Sequence, residues 1–168
     1  MGEMAVPDDA LYGASTQRAV LNFPISGYPM PEDFLRGLAL VKLACALANQ
    51  ELGRLPAEKA NAIAEVAREI LGGGWRGQFP VDVFQTGSGT STNTNMNEVI
   101  ANRSSQKAGQ PLGSNRPVHP NDDVNMGHSS NDVIPTAFHV SVALALRERL
   151  APALALLQRE LEEKSRQR

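Results

Sequence analysis

From Val133 to Leu161 apolar side chains recur at helical spacing: Val133, Ile134, Ala137, Phe138, Val140, Val142, Leu144 and Leu146, then Leu154, Leu157 and Leu161 beyond Pro152. At a rise of ~1.5 Å per residue these segments together approach about 50 Å. That is long for 168 residues, and the apolar face of so long a helix packs into a bundle with other helices, for which this chain offers few partners. Ser129, Ser130, Asn131 and Asp132 precede it as N-cap candidates. Pro135 lies close enough to the start to be tolerated, whereas Pro152 either kinks the helix or opens a new segment at its N1 position.

Two shorter helices are predicted upstream. Phe34, Leu35, Leu38, Val41, Leu43 and Leu47 mark one from Glu32 to about Leu52, between Pro31 and Gly53. Ala60, Ile63, Ala64, Ala67 and Ile70 mark another from Pro56 to about Leu71, stopped by Gly72-Gly73-Gly74. The two are expected to form an antiparallel hairpin. Residues 1–31 carry Pro7, Pro24, Pro29, Pro31, Gly13 and Gly27, too many breakers for a long helix, and read as an extended arm with Tyr12, Leu21, Phe23 and Ile25 as its anchors. Val81-Asp82-Val83-Phe84 fits a strand or a packed extended piece. A third helix is expected from Asn97 through Arg103, and residues 109–127 read as a long loop, a length that is uncommon unless functional.

Three polar groups interrupt this helical frame. The first is Gly87-Ser88-Gly89-Thr90-Ser91-Thr92-Asn93-Thr94-Asn95-Met96-Asn97-Glu98, where nearly every side chain carries a hydroxyl or an amide. Such groups, with glycine-exposed backbone N–H, can hold a carboxylate or phosphate by geometry instead of ion pairing. The same residue types build ordinary surface turns, and the stretch by itself leaves both readings open. It lacks the spacing and the Gly-Lys-Ser/Thr end of a phosphate-binding P-loop. The second group is His119-Pro120-Asn121-Asp122-Asp123-Val124-Asn125, in which His119 can pair with Asp122 or Asp123 but has no further donor at metal-ligand spacing. The third, Ser129-Ser130-Asn131, is readable as a helix cap alone.

Charge and composition narrow the partners. Sixteen basic and eighteen acidic residues give a net charge of −2, so no overall field favours nucleic acid or an anionic membrane, and an anion must be caught locally. Cys45 is the one cysteine; set in an apolar run, it reads as a buried structural thiol in a reducing cytosol. No stretch reaches membrane-spanning length, and Met1-Gly2-Glu3-Met4 lacks a signal pattern, so the chain is expected to be soluble and cytoplasmic.

Taken together, Thr86 through Asn93, Asn97 through Arg103, Val118 through Asn125 and Ser129 through Asp132 resemble the class II fumarases of the fumarase/aspartase superfamily. Gly13-Ala14-Ser15-Thr16-Gln17-Arg18 and Asn22-Phe23-Pro24-Ile25 resemble that family's N-terminal arm, so the likeness covers essentially the whole chain. The resemblance implies a mainly α fold: an N-terminal lyase domain over residues 1–130, and over residues 131–168 the truncated start of a central helical bundle. It implies reversible hydration of fumarate to (S)-malate in the tricarboxylic acid cycle, without metal or other cofactor, by a homotetramer whose active sites draw on several subunits. It assigns Ser88, Gly89, Thr90, Ser129, Ser130 and Asn131 to the substrate carboxylates, and His119, Asn121 and Asp122 to a second dicarboxylate site.

Two departures bear on function. His128 stands where the family usually has glutamine before Ser-Ser-Asn, placing a group that ordinarily titrates near neutrality beside the carboxylate residues. The family's Gly-Arg-Thr-His segment and its mobile Gly-Ser-Ser-x-Met-Pro-x-Lys-x-Asn loop, which supply the proton-moving groups, are not in this sequence. Catalytic residues are therefore expected downstream of Arg168, and this polypeptide alone is expected to be inactive or nearly so. Met1-Gly2-Glu3 resembles an internal family segment, so a clipped start is expected too. An aspartase-like ammonia lyase is the alternative within the superfamily, although aspartases usually show Asn-Pro-Asn-Asp-His and Ser-Thr-Asn at these positions. A non-catalytic binding or assembly fragment is the alternative outside it.

Overall fold

The computed structural model describes residues 3–167, so the Met1-Gly2 part of the start and Arg168 lie outside the described residues. Six helices, α1 (Ala14–Asn22), α2 (Glu32–Glu51), α3 (Ala57–Leu71), α4 (Thr90–Lys107), α5 (Ser130–Ala145) and α6 (Ala151–Arg166), carry the architecture. Among the described residues there is no strand. The Val81–Phe84 piece is joined to the arm by a single antiparallel bridge between Pro29 and Asp82 and then bends at Val83 and Phe84.

The centre is α2, packed on α3 and on α5. Its approach to α5 is set by Gly37: a Cβ there would lie 2.5 Å from the Ala137 carbonyl oxygen and 3.1 Å from Ser141 Cβ. Small residues on both helices thus let the backbones meet. Leu38, Ile63, Met96, Val99, Ile100, Val118 and Val133 fill the core between α2, α3, α4, α5 and the loop before α5. Burial of each such side chain contributes about 1.5–3 kcal/mol.

α4 begins at Thr90, seven residues before the predicted start at Asn97. The polar stretch is therefore helix for most of its length. Ser, Thr and Asn are indifferent helix formers because their side chains compete for backbone hydrogen bonds. Here tertiary burial overrides propensity: Thr92, Asn93, Asn95 and Asn97 all point into the fold and find partners there.

The arm is extended on either side of α1, a helix that fits between the breakers Gly13 and Pro24. Two buried carboxylates fix it. Glu98 accepts from the backbone N–H groups of Gly13, Ser15 and Thr16 at 2.8, 3.1 and 3.1 Å and from the Thr16 hydroxyl at 2.6 Å, so the cap of α1 comes from α4. Asp82 likewise accepts from Ser26 N and Gly27 N at 2.7 Å. Of the expected apolar anchors, Leu21 and Ile25 are exposed at 60% and 64%, and only Tyr12 packs against the core.

α5 and α6 are joined by a widened turn over Leu146–Leu150, where the Ala151 N–H reaches back to the Leu146 carbonyl. Such a turn opens the helix just ahead of Pro152, whose ring would otherwise crowd the preceding turn. Arg149 pairs with Asp33 and Arg36 with Glu148 at 3.1 Å, tying this turn to the start of α2. Beyond it α6 has no buried residue. Cys45, expected to be buried, is only half-buried.

Candidate functional site

The N-termini of α4 and α5 lie side by side. Gly89 makes this possible. It caps α4 with φ +66°, a left-handed conformation that suits glycine, and a Cβ there would sit 3.1 Å from Ile134 on the second turn of α5. One residue further on the hydroxyls of Ser88 and Thr90 are 2.8 Å apart. Across the gap Asn93 donates to Ser130 Oγ at 2.9 Å. Ser129 caps α5, its Oγ accepting from Asn131 N at 3.3 Å, so it is a helix cap and a member of the polar group at once. Ser88 and Asn131 line one cleft of about 650 Å³ whose other walls are mostly apolar, Phe34, Ile134, Pro135 and Phe138 among them, with Ser141 and with Asp33, whose carboxylate is paired with Arg149.

In the first turns, the N–H groups of Ser91, Thr92 and Asn131 are taken by Thr86 Oγ1, Gln85 Oε1 and Ser129 Oγ, so the two N-termini offer the N–H groups of Thr90 and Ser130 and the positive ends of two helix dipoles. The surrounding hydroxyls and amides donate without bringing a counter-charge. The arrangement suits a small anion held by hydrogen bonds.

The second polar group is elsewhere. His119 caps a single helical turn over Pro120–Val124, its Nδ1 accepting from Asn121 N at 3.2 Å and Asp122 N at 3.0 Å. An acceptor Nδ1 carries no proton, which leaves Nε2–H free to donate. The 3.3 Å approach of Asp122 Oδ2 to Nδ1 is therefore no ion pair while the ring is neutral. His119 and Asn121 line a polar cleft of about 520 Å³ together with Ser15, Thr94 and Asn97; the exposed Asp122 is not among the lining residues. The adjacent Asp123 turns inward and binds Lys59 at 2.8 and 2.9 Å. Among the described residues no three His, Cys, Asp or Glu side chains are grouped to hold a metal ion.

A partly buried network absent from the sequence expectations connects Asn93 and Asn97 of α4 to the loop before α5. Asn125 Oδ1 accepts from Lys42 Nζ at 2.9 Å, Asn93 at 3.0 Å and Asn97 at 3.3 Å. Lys42 Nζ also donates to His128 Nε2 at 2.8 Å. The Met126 carbonyl can only accept, so His128 Nδ1 carries the proton and donates to it at 3.0 Å. Lys42 is fully buried, and burial lowers its pKa from 10.5 to about 7. Burial, then the Lys42 charge, lowers that of His128 from 6.5 to about 4. His128 thus faces the core as a neutral ring, and the titration near neutrality belongs to Lys42. The amide oxygens of Asn93 and Asn97 are buried without a donor among the described residues. A signal for Lys42 was present, since Leu38, Lys42, Ala46 and Asn49 follow one helix face. A lysine on a core face is unusual unless it has partners. His139, by contrast, is exposed and meets the edge of Phe138.

A family profile described as lyase matches residues 2–168. The chain is 54% identical over 165 residues to the class II fumarate hydratase of Halobacterium salinarum, a match that covers 98% of this chain and 35% of the relative. It is similar in structure to the class II fumarase of Schistosoma mansoni, with TM-score 0.87 and 39% identity over 92% of this chain and 33% of the other. A fumarate lyase:delta crystallin structure from Brucella melitensis gives TM-score 0.84 and 47% identity over 87% of this chain and 33% of that one. The chain therefore spans about a third of the length of the relatives it matches.

Proposed function

The chain belongs to the lyase family whose profile spans residues 2–168, and on that premise we propose that it forms the carboxylate-gripping part of a class II fumarate hydratase. The observation that carries this reading is the Asn93–Ser130 hydrogen bond of 2.9 Å, which brackets the N-termini of α4 and α5 around Ser88, Thr90 and Asn131. Hydration of fumarate, run backwards, removes a proton from the carbon beside a carboxylate and leaves a dianionic aci-carboxylate. Pre-placed neutral donors stabilise that charge as it develops without needing to reorganise. Ser88, Thr90, Ser129, Ser130, Asn131 and, next to Gly89, the backbone N–H of Thr90 are assigned this task. His119 and Asn121, with Asp122 at the rim, are assigned a second dicarboxylate site in the polar cleft.

Proton transfer is assigned to groups that these 168 residues do not contain. The exposed stripe of Phe138, Val142, Leu146, Leu150, Leu154, Leu157 and Leu161 along α5 and α6 supports a helical-bundle homotetramer as the working form. No described helix is long and apolar enough to cross a membrane, which accords with a cytoplasmic place in the tricarboxylic acid cycle.

The test is to assay the protein encoded by the gene that carries this sequence for fumarate formed from (S)-malate and from L-aspartate. Malate alone is expected to react. Release of fumarate from aspartate overturns the hydratase reading in favour of an ammonia lyase, and the 168-residue chain by itself is expected to turn over neither.

A further inference from the structure

We infer that Lys42 is a positioning residue of the carboxylate grip, holding Asn125 and His128 so that Asn93 and Ser130 face the anion, and that anion binding draws a proton onto Lys42. The inference rests on the proposal that the paired N-termini of α4 and α5 hold a dicarboxylate.

The geometry makes Lys42 the hub of the wall behind the site. Asn125 is gripped by Lys42 and in turn receives Asn93, whose second amide hydrogen reaches Ser130 Oγ. Asn125 also donates to the His128 carbonyl at 3.0 Å, fixing the backbone that leads into Ser129. His128 closes the ring through its contact with Lys42 Nζ. Lys42 therefore reaches the anion site by two short routes, through Asn125–Asn93 to Ser130 and through His128 to Ser129.

Charge completes the argument. No carboxylate pairs with Lys42 among the described residues. On α2 its titratable neighbour is Cys45. α4 presents neutral Asn93 and Asn97, its Glu98 being engaged by α1. The loop before α5 presents His128, and its Asp123 is engaged by Lys59 of α3. The charged and titratable side chains of α5 nearest its start, Asp132 and His139, are exposed. A dianion at the helix N-termini would add negative charge to that of the exposed Asp132, and because Lys42 is itself buried the field that reaches it is screened less than between two exposed groups. Near neutral pH the lone amine is poised to answer it by taking up a proton.

The test titrates the 168-residue chain with (S)-malate by calorimetry slightly above pH 7, in Hepes and in Tris, whose different ionisation heats report the protons exchanged. Wild type is expected to take up roughly half a proton per malate. Lys42→Met is expected to take up none and to bind about tenfold more weakly while keeping its helical circular dichroism. His128→Gln keeps an acceptor for Lys42 and is expected to retain the uptake. Undiminished uptake or unchanged affinity in Lys42→Met overturns the role of Lys42 and leaves the grip standing; no malate binding in wild type overturns both. Should Lys42→Met fail to fold, the 13Cε shift of Lys42 in wild type decides: its titration moves to higher pH with malate, and an unmoved titration overturns the inference.

Discussion

Asn93 Nδ2 donates to Ser130 Oγ at 2.9 Å and to Asn125 Oδ1 at 3.0 Å, so one buried amide joins the first turn of α4 to the start of α5. Asn93→Ala removes both bonds together with an amide oxygen that has no donor among the described residues. Stability is therefore expected to fall by only about 1 kcal/mol, the net worth of a typical hydrogen bond. Affinity for malate is expected to fall about tenfold, because Ser130 loses its orientation. Urea unfolding and calorimetry on the same variant separate the two effects. A large stability loss with unchanged affinity would make Asn93 purely structural.

Gly89 holds the loop before α4 against Ile134 in a conformation that costs an L-residue about 1–2 kcal/mol. Its missing Cβ also leaves room for three Ile134 carbons at 3.1–3.3 Å. Gly89→Ala is expected to lose about 2–3 kcal/mol from the two causes together. Ile134→Ala relieves the crowding and leaves the backbone strain, so a double-mutant cycle should return a coupling of about 1 kcal/mol. A coupling near zero would show that Gly89 is needed for its φ alone.

The helices of the core were legible because their apolar spacing is a direct trace of which face is buried. α2 and α3 end within a residue or two of the expected limits. α1 and the first half of α4 were hidden for one physical reason: their stabilising contacts lie far away in sequence. Thr92, Asn93 and Asn97 look like loop residues until Gln85, Asn125 and Ser130 are brought to them. The carboxylate residues were legible as a motif, yet the network behind them was not. Lys42 and Asn125 are 83 positions apart, and no local pattern reports such a contact.

Glu98 shows how much of the arm depends on one distant side chain. Four donors from Gly13, Ser15 and Thr16 converge on its carboxylate, which is 8% exposed. Glu98→Gln replaces one acceptor oxygen by an NH2 group facing N–H donors. A loss of about 2–3 kcal/mol is expected, in the range for hydrogen bonds to a charged group. Thr16→Val removes the hydroxyl donor alone and is expected to cost about 1 kcal/mol. Hydrogen exchange should speed up over residues 13–22 in both variants and more in Glu98→Gln. Protection that is unchanged there would mean that other contacts hold α1.

Lys42 and His128 also shape the pH dependence of folding. Both are bases whose pKa is lowered in the folded chain, chiefly by burial: Lys42 from 10.5 to about 7, His128 from 6.5 to about 4. Within each window the unfolded chain binds more protons than the folded one, so each group makes stability rise with pH there. For His128 the rise runs from about 4 to 6.5, and the stabilisation is lost as acid forces a proton onto the ring. For Lys42 it runs from about 7 towards 10.5. Denaturant midpoints of wild type, His128→Gln and Lys42→Met across pH assign the two windows. His128→Gln should flatten the acid slope and keep the alkaline one. Lys42→Met should do the reverse, with some easing of the acid slope because the Lys42 charge also opposes protonation of His128. If both slopes survive in Lys42→Met, the buried amine is not the group that titrates near neutrality.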